Sequence, residues 1–398
     1  MKRFLLISDI HACDVDPQSA TAPSYVSCFG SGAASNVNPL SELERLIQDE
    51  GIAADCILCP GDITNRANPT SFAYAWDRLD KLATKIGVPL IATVGNHDVD
   101  SRYKTNSYDP REFAKSLTPT IPTADRPKYL EYWAENFTLV VLQDCNILSI
   151  NTAAYHGAGR DTGSEIEHGR ISPAALSSIK NALLEAPKAA VNILLCHHHL
   201  LKAEQSDEEL AGLTRGSDKL IQLLGDRPEA WIVVHGHKHI PDLLYAHGGA
   251  NSPVVLGCAS FSAQVNIDSN NKNPNQFHLL TCEPDWADAS GWTSAGTVTS
   301  WTWQPGVGWA KAQGLQGFRH VVGFGYRASV TALVEKVDEF LSSRKLSQSS
   351  WHDAVRAIPS LQKLTPIDFA AFEQALERRG LTILAERDGT LAQVGRLP

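Results

Sequence analysis

The 398-residue sequence predicts an α/β layered fold, and three observations carry that reading. Apolar runs bounded by polar or glycine-bearing turns recur at 3–8, 55–59, 89–94, 139–150, 191–196, 231–235, 253–258 and 277–282, and read as buried strands. Helical periodicity fills several of the intervals, and strands alternating with helices mean layers. Clusters of Asp, Asn and His follow the carboxyl ends of five runs, where open α/β sheets place their ligands.

Taken in order, Met1-Lys2-Arg3 followed by apolar Phe4–Ile7 imitates the start of a signal peptide, but Ser8-Asp9 ends the run too early for one. The run reads instead as a strand delivering Asp9-Ile10-His11. Leu40, Leu43, Leu46 and Ile47 put one apolar face on a helix over 39–50, and Phe72, Trp76, Leu79, Leu82 and Ile86 do the same over 71–86. Between these helices, Cys56–Cys59 leads into Gly61-Asp62-Ile63-Thr64-Asn65. Cys56-x-x-Cys59 has the spacing of a redox motif, yet Ile57 and Leu58 inside it favour a buried strand. Leu90–Val94 leads into Gly95-Asn96-His97-Asp98. A helix over 172–185, with Leu176, Ile179 and Leu183 on one face, precedes the strand Val191–Cys196 and its His197-His198-His199. Trp231–Val234 runs into His235-Gly236-His237-Lys238-His239, three histidines at a spacing of two that an extended chain sends to one side.

Composition narrows the setting. A hydrophobic content of 43% is enough for a large core, and the net charge of −9 without any clustered Lys and Arg argues against a track for nucleic acid. No apolar stretch approaches a membrane span, and the scattered cysteines read as reduced core thiols, so the sequence predicts a cytoplasmic protein with no membrane partner. After Pro284, Trp286, Trp292, Trp301, Trp303 and Trp309 lie among Gly, Ser and Thr; short antiparallel strands packing on the main domain are expected there ahead of a base-stacking platform. The last seventy or so residues change again. Val330, Leu333, Val334, Val337 and Leu341 form a helical stripe, Thr365-Pro366-Ile367-Asp368 opens a second helix that Gly380 closes, and 381–384 and 391–394 around Asp388-Gly389 read as a hairpin. Helices followed by a hairpin have the order of a winged helix. Because the charges here balance, docking to a partner, to a second copy or to the main domain is read ahead of nucleic-acid recognition.

The series Asp-x-His, Gly-Asp-x-x-Asn, Gly-Asn-His-Asp, His and Gly-His-x-His resembles the calcineurin-like metallophosphoesterase superfamily. The likeness covers roughly residues 1–285, with weaker echoes in Gly257-Cys258-Ala259-Ser260 and Asn275-Gln276-Phe277. It implies an α/β fold of two mixed β-sheets packed as a sandwich and flanked by helices, here followed by a Trp/Gly-rich covering segment at 286–327 and a small α+β appendage at 328–398. It also implies two metal ions. Asp9, His11 and His239 would hold one, Asn96, His197 and His237 the other, and Asp62 would bridge. Such nitrogen and oxygen donors suit Mn, Fe, Zn, Ni or Co. His199 stands where the family usually has proline, which leaves His198 as an alternative ligand, and His235 has no family role at the metal. His97 would approach the phosphate or the leaving oxygen with Asp98 orienting its ring.

Specificity is less legible. Arg66, His156 and Arg170 are candidates for substrate contact, and Tyr155, His156 and Arg160 lie in a glycine-bearing loop that suits a rim. The resemblance implies hydrolysis of a phosphate ester by a hydroxide activated between two divalent ions. The acidic balance favours a small nucleotide-like phosphodiester. A repair-type nuclease, a phosphomonoesterase or protein phosphatase, and an inactive interaction scaffold are the other readings.

Overall fold

The structure is a computed structural model that describes residues 1–30, 38–158, 168–201, 213–247, 251–264, 274–314, 317–386 and 389–397; Arg160 and Asp388 lie outside them. One sheet has seven strands. Its parallel part is β1 (Lys2–Leu6), β2 (Cys56–Cys59) and β3 (Leu90–Ala92). The second sheet runs β4 (Phe137–Leu142), β5 (Cys145–Ile150), β6 (Val191–Leu195), β7 (Ile232–His235), β9 (Val254–Gly257), β8 (Asp242–Tyr245), with β5, β6, β7 and β9 parallel and an antiparallel strand at each edge. The run 139–150 is therefore two strands and not one. Asp144, at φ 55, turns the chain between them. A short polar-tolerant turn inside a continuous apolar run leaves no periodic signal to mark it.

Strand alternation explains the layers. Phe4, Leu6, Cys56 and Leu58 point one way and meet Ile147, Ile193, Leu195 and Val234 of the other sheet, which fills the sandwich interior. Leu5, Ile7, Ile57 and Cys59 point the other way, onto the apolar faces of α1 (Pro39–Glu50) and α2 (Pro69–Ile86). Both helices start on an asparagine cap followed by proline, Asn38 and Asn68, which satisfies first-turn amides while proline fixes φ. After α3 (Glu112–Ser116) and α4 (Arg126–Glu135), the outer face of the second sheet is covered by α5 (Pro173–Glu185) and α6 (Ser217–Gly225), with Ile179, Leu183, Leu220 and Leu224 on Leu148, Leu194 and Val233. Truncating any of these buried Leu or Ile side chains to Ala costs roughly 2–5 kcal/mol. With helices outside and the cores on both faces of each sheet, only the strand ends are left to carry polar clusters.

The first sheet continues past residue 285. β10 (Gln276–Cys282) pairs antiparallel with β1, and after α7 (Pro284–Ser290) the strand β11 (Gly296–Gln304) pairs with β10 along its whole length, extended by β12 (Gly308–Lys311) and β13 (Val321–Phe324). Trp301 and Trp309 are buried against Phe277, at ring-centroid distances of 4.8 and 4.9 Å, and the Trp309 indole donates to Pro39 O at 2.9 Å. These indoles are core, and no base can stack on them.

The last segment has its own small core. α8 (Val330–Ser343), β14 (Gln348–Ser350), α9 (Trp351–Ala357), α10 (Pro366–Arg378), β15 (Leu381–Ala385) and β16 (Leu391–Arg396) gather Leu333, Val337, Leu341, Phe372, Leu376, Leu381 and Val394. The Thr365 hydroxyl caps α10 by accepting from Asp368 N at 3.3 Å. This segment docks on the sandwich: Gly323 and Tyr326 donate backbone bonds to Leu364 O and Lys363 O, and the buried Lys363 ammonium pairs with Glu283. Among the described residues no helix is long and apolar enough to cross a membrane.

Candidate metal centre

Five loops at the carboxyl ends of β1, β2, β3, β6 and β7 converge. Backbone bonds tie them to one another, Asp9 N to Gly61 O at 3.0 Å, His11 N to Asp62 O at 2.9 Å and Gly236 N to His197 O at 3.0 Å. The ties hold an unusual backbone: Asp9, His11, Asp62, His237 and His239 all have positive φ, between 50 and 81°. A non-glycine residue in that region costs roughly 1–3 kcal/mol and persists only where its surroundings over-determine it. Here the return is that five polar side chains aim at one volume.

Asp62 Oδ2 lies 3.5 Å from His11 Nε2 and 3.3 Å from His197 Nε2, between two groups of donors. On one side, His239 Nε2 is 3.0 Å from His11 Nε2 and 3.4 Å from Asp9 Oδ1. On the other, Asn96 Oδ1 is 3.1 Å from His197 Nε2 and 3.0 Å from His237 Nδ1. The sets Asp9–His11–His239, Asp9–Asp62–His197 and His197–His198–His237 each bring their donor atoms within 4.8 Å. His197 Nδ1 donates to Pro60 O at 3.0 Å, which fixes the ring and leaves Nε2 for a ligand, the usual outer-shell arrangement of a metal-binding histidine. Two glycines make room. A Cβ on Gly95 would sit 2.2 Å from Asp62 Oδ1, and one on Gly236 would sit 2.3 Å from Asp9 Oδ2.

Electrostatics point the same way. Burial pushes Asp62 up, but the imidazoles of His197, His97 and His11 outweigh it and hold the carboxyl well below its usual range. Burial likewise works against Asp9, and His239 and His197 overcome it. Burial drives His11 down to about 3 and His237 well below the ordinary imidazole value, so both stay neutral with a lone pair to give. His197 alone is raised, to about 9, because Asp62, Asp9 and Asp98 outweigh its burial. The ionised carboxylates demand a positive charge at this point, and neutral imidazoles surround it. The donor set fits divalent transition-metal ions.

The family model of the calcineurin-like phosphoesterases matches residues 2–241. The chain belongs to that family. A model named for a winged helix-turn-helix associated with calcineurin-type proteins matches residues 322–378. No curated protein matches the chain. Among solved structures, PhoD is similar over 80% of this chain and 72% of its own, with a TM-score of 0.43 and 10% identity. A putative 5'-nucleotidase from Staphylococcus aureus in complex with α-ketoglutarate is similar over 71% of this chain and 51% of its own, with a TM-score of 0.38 and 12% identity.

At the donor cluster, the 3-10 turn Asn96–Asp98 places His97 against His11, with ring centroids 4.6 Å apart. Asp98 does not orient the His97 ring, contrary to expectation. Its carboxylate accepts from Gly95 N at 2.9 Å and Thr64 N at 3.0 Å, and burial together with Asp62 raises it to about 7. Asn65 takes that place, with Oδ1 3.1 Å from His97 Nδ1, while Asp62 Oδ1 accepts from His97 N at 2.7 Å. Asn65, Gly95 and Gly236 are parts of the site that the sequence reading passed over as components of longer motifs. Arg66 is exposed, at φ 54, beside His97. Arg170 bonds through its backbone to Thr152 O at 2.9 Å, and His156 is buried with Nε2 3.0 Å from His168 O and its ring centroid 5.1 Å from that of His198. His198 is buried behind His197, its Nδ1 2.8 Å from Thr152 Oγ1. His235 lies beside its own loop, with Nδ1 3.1 Å from Gly236 O. Cys56 and Cys59 are buried free thiols, which burial pushes up, away from redox chemistry.

Proposed function

We propose that this phosphoesterase hydrolyses a compact, nucleotide-like phosphodiester at a pair of divalent ions. The observation that carries the proposal is the position of Asp62 Oδ2 between His11 and His197, each the edge of a separate donor group. Asp9, His11 and His239 would hold one ion, Asn96, His197 and His237 the other, and Asp62 both. When bound, such ions supply a nucleophile from water at neutral pH and draw charge from the phosphate oxygens. The chain does the rest. His97, whose Nδ1–H donates to Asn65 Oδ1 and whose amide donates to Asp62, gives the departing ester oxygen a proton from Nε2 only in its imidazolium form, which burial opposes and the Asp62 carboxylate favours. Arg66 offers a guanidinium to a non-bridging phosphate oxygen, and the ties among the five loops keep these groups in register.

A small substrate is favoured by the net charge of −9 and the lack of a basic track in the sequence. The winged-helix match favours a second reading, a nuclease that uses residues 322–378 to meet DNA. Hydrolysis of a generic diester, a generic monoester, a cyclic nucleotide and single-stranded DNA, each with Mn²⁺, separates the readings. The expected order is diester and cyclic nucleotide well above monoester and DNA. Dominant monoester hydrolysis, or dominant DNA cleavage, overturns the proposal.

A further inference from the structure

The C-terminal module and the sandwich meet at backbone distance on two sides of a cavity of about 140 Å³. A Cβ on Gly323 of β13 would sit 1.8 Å from Gln362 O, and one on Gly389 before β16 would sit 2.5 Å from Gln313 O. Between these contacts Trp351, Leu361, Phe369 and Leu391 line the cavity from the module, and Arg319 and Val322 from the sandwich. Leu361 and Phe369 are buried and Trp351 is half-buried, with the two aromatic rings 6.1 Å apart between centroids. A largely apolar space of this size compares with an engineered cavity of about 150 Å³ that holds a benzene ring.

Docking of the module does not explain Arg319. Its guanidinium lies over the Phe369 ring, 3.5 Å from the centroid, and makes no hydrogen bond or ion pair among the described residues. Glu373, one turn beyond Phe369 on α10, is near enough for the two charges to influence one another but forms no ion pair with it. Burial draws the guanidinium below its usual pKa, a sign of what withdrawing the charge from water costs. Stacking uses the face of the group and leaves the N–H donors along its edge unspent. A half-buried cation with an open forked edge, beside an apolar space the size of one ring, is the complement of a small flat carboxylate. One guanidinium offsets one negative charge, so a monoanion suits the cavity better than a phosphate dianion, whose second charge would be buried without a partner.

We infer that this seam cavity binds a small aromatic or similarly flat carboxylate, paired through its two oxygens with Arg319 and packed against Trp351, Leu361 and Leu391. Because both walls contribute, the ligand binds only the docked arrangement and holds the module to the sandwich. Such a site is independent of the metal centre and of the substrate proposed above.

Calorimetric titration of the full chain with benzoate and with benzamide, its neutral counterpart, tests this. Benzoate should bind roughly 10- to 100-fold tighter than benzamide, the range of a hydrogen bond to a charged group. It should also slow proteolysis between the sandwich and the module. Arg319→Lys keeps a cation beside Phe369 but cannot form the forked pair, so the ratio should fall severalfold, and Arg319→Met should erase it. Asp62→Asn, altered at the metal centre, should bind benzoate as the unaltered chain does. No saturable benzoate binding below about 10 mM, the affinity that a ligand of this size reaches at an ordinary contact energy per atom, overturns the inference. An unchanged ratio in Arg319→Lys or in Arg319→Met overturns it equally. Benzoate binding that Asp62→Asn abolishes would place the acid at the metal centre and overturn it too.

Discussion

The metal-loop end of the sandwich and the module at residues 328–398 are built by opposite rules. Along α10 of the module the local choices agree with the fold: Thr365 caps the helix, Pro366 follows, Phe369, Phe372 and Leu376 make one buried stripe, and Gly380 ends it at φ 73 with nothing near its missing Cβ. At the metal end the local choices disagree with it. Asp9, His11, Asp62, His237 and His239 sit at positive φ, the carboxyl groups of Asp9, Asp62 and Asp98 are buried, and His198 Nε2 and His237 Nε2 are buried without a hydrogen-bond partner among the described residues. Conflict of this kind survives where function requires it and the surrounding scaffold offsets the cost.

The sharpest way to break the comparison is to disturb each region by one small group. Asp62→Asn should abolish turnover and lower metal content, since it removes the charge shared by both donor groups. Gly95→Ala should come close to the same loss, because its methyl would displace Asp62 Oδ1. Gly380→Ala, in open space at the end of α10, should cost roughly 1–2 kcal/mol and leave activity alone. Metal analysis and diester kinetics on the three proteins check this. A fully active, metal-replete Gly95→Ala protein would show that the cradle is not needed.

His97 sharpens the comparison inside the metal end. Replacing it by Ala should lower kcat by roughly 10²–10⁴ while metal content stays near that of the unaltered protein, the range for a lost general acid. The loss should shrink for esters with very acidic leaving groups. Metal lost together with rate would place His97 among the ligands, a grouping its approach to His11 and Asp62 allows.

Most of the sandwich was legible because buried strands and amphipathic helices leave periodic traces, and the motifs at strand ends named the residues that meet. What stayed hidden has a physical reason in each case. β4 and β5 merge into one apolar run because only Gln143 and Asp144 part them. β8 is too short and too mixed in polarity to stand out. Asp98 and Asn65 exchange roles because sequence proximity to His97 says nothing about which carbonyl or carboxylate its ring will face. Gly95 and Gly236 act through contacts closer than any side chain permits, and only coordinates reveal such contacts.

His278 extends the contrast to an imidazole in the core. Its Nε2 accepts from Ala259 N at 3.2 Å, so Nδ1 donates to Ser300 Oγ at 2.8 Å, and burial drives it to about 3. Because the folded value lies below the unfolded one of about 6.5, the folded chain binds fewer protons between them. The stabilisation is complete above pH 6.5 and is lost as pH falls toward 3, by about 2 kcal/mol between pH 7 and pH 5. His278→Gln should flatten the decline in urea stability over that interval by a similar amount. An unchanged decline would mean that His278 does not titrate as a buried neutral base.

The smallest expected effect tests whether the two regions communicate. Lys363 is 3% exposed and pairs with Glu283, a polar anchor between the module and the sandwich, while Glu283 retains some contact with solvent. Lys363→Met leaves Glu283 without its cation and should cost about 1–2 kcal/mol, less than a fully buried pair because water partly replaces the lost partner. The module keeps its own core of Leu333, Val337, Phe372 and Leu376, so the variant should stay folded with faster proteolysis at the seam near residues 322–327. Diester kinetics should be unaltered, since none of the five metal loops touches that anchor. A parallel fall in kcat would show that docking of the C-terminal module sets the geometry of the metal end, and the two regions would then have to be read as one.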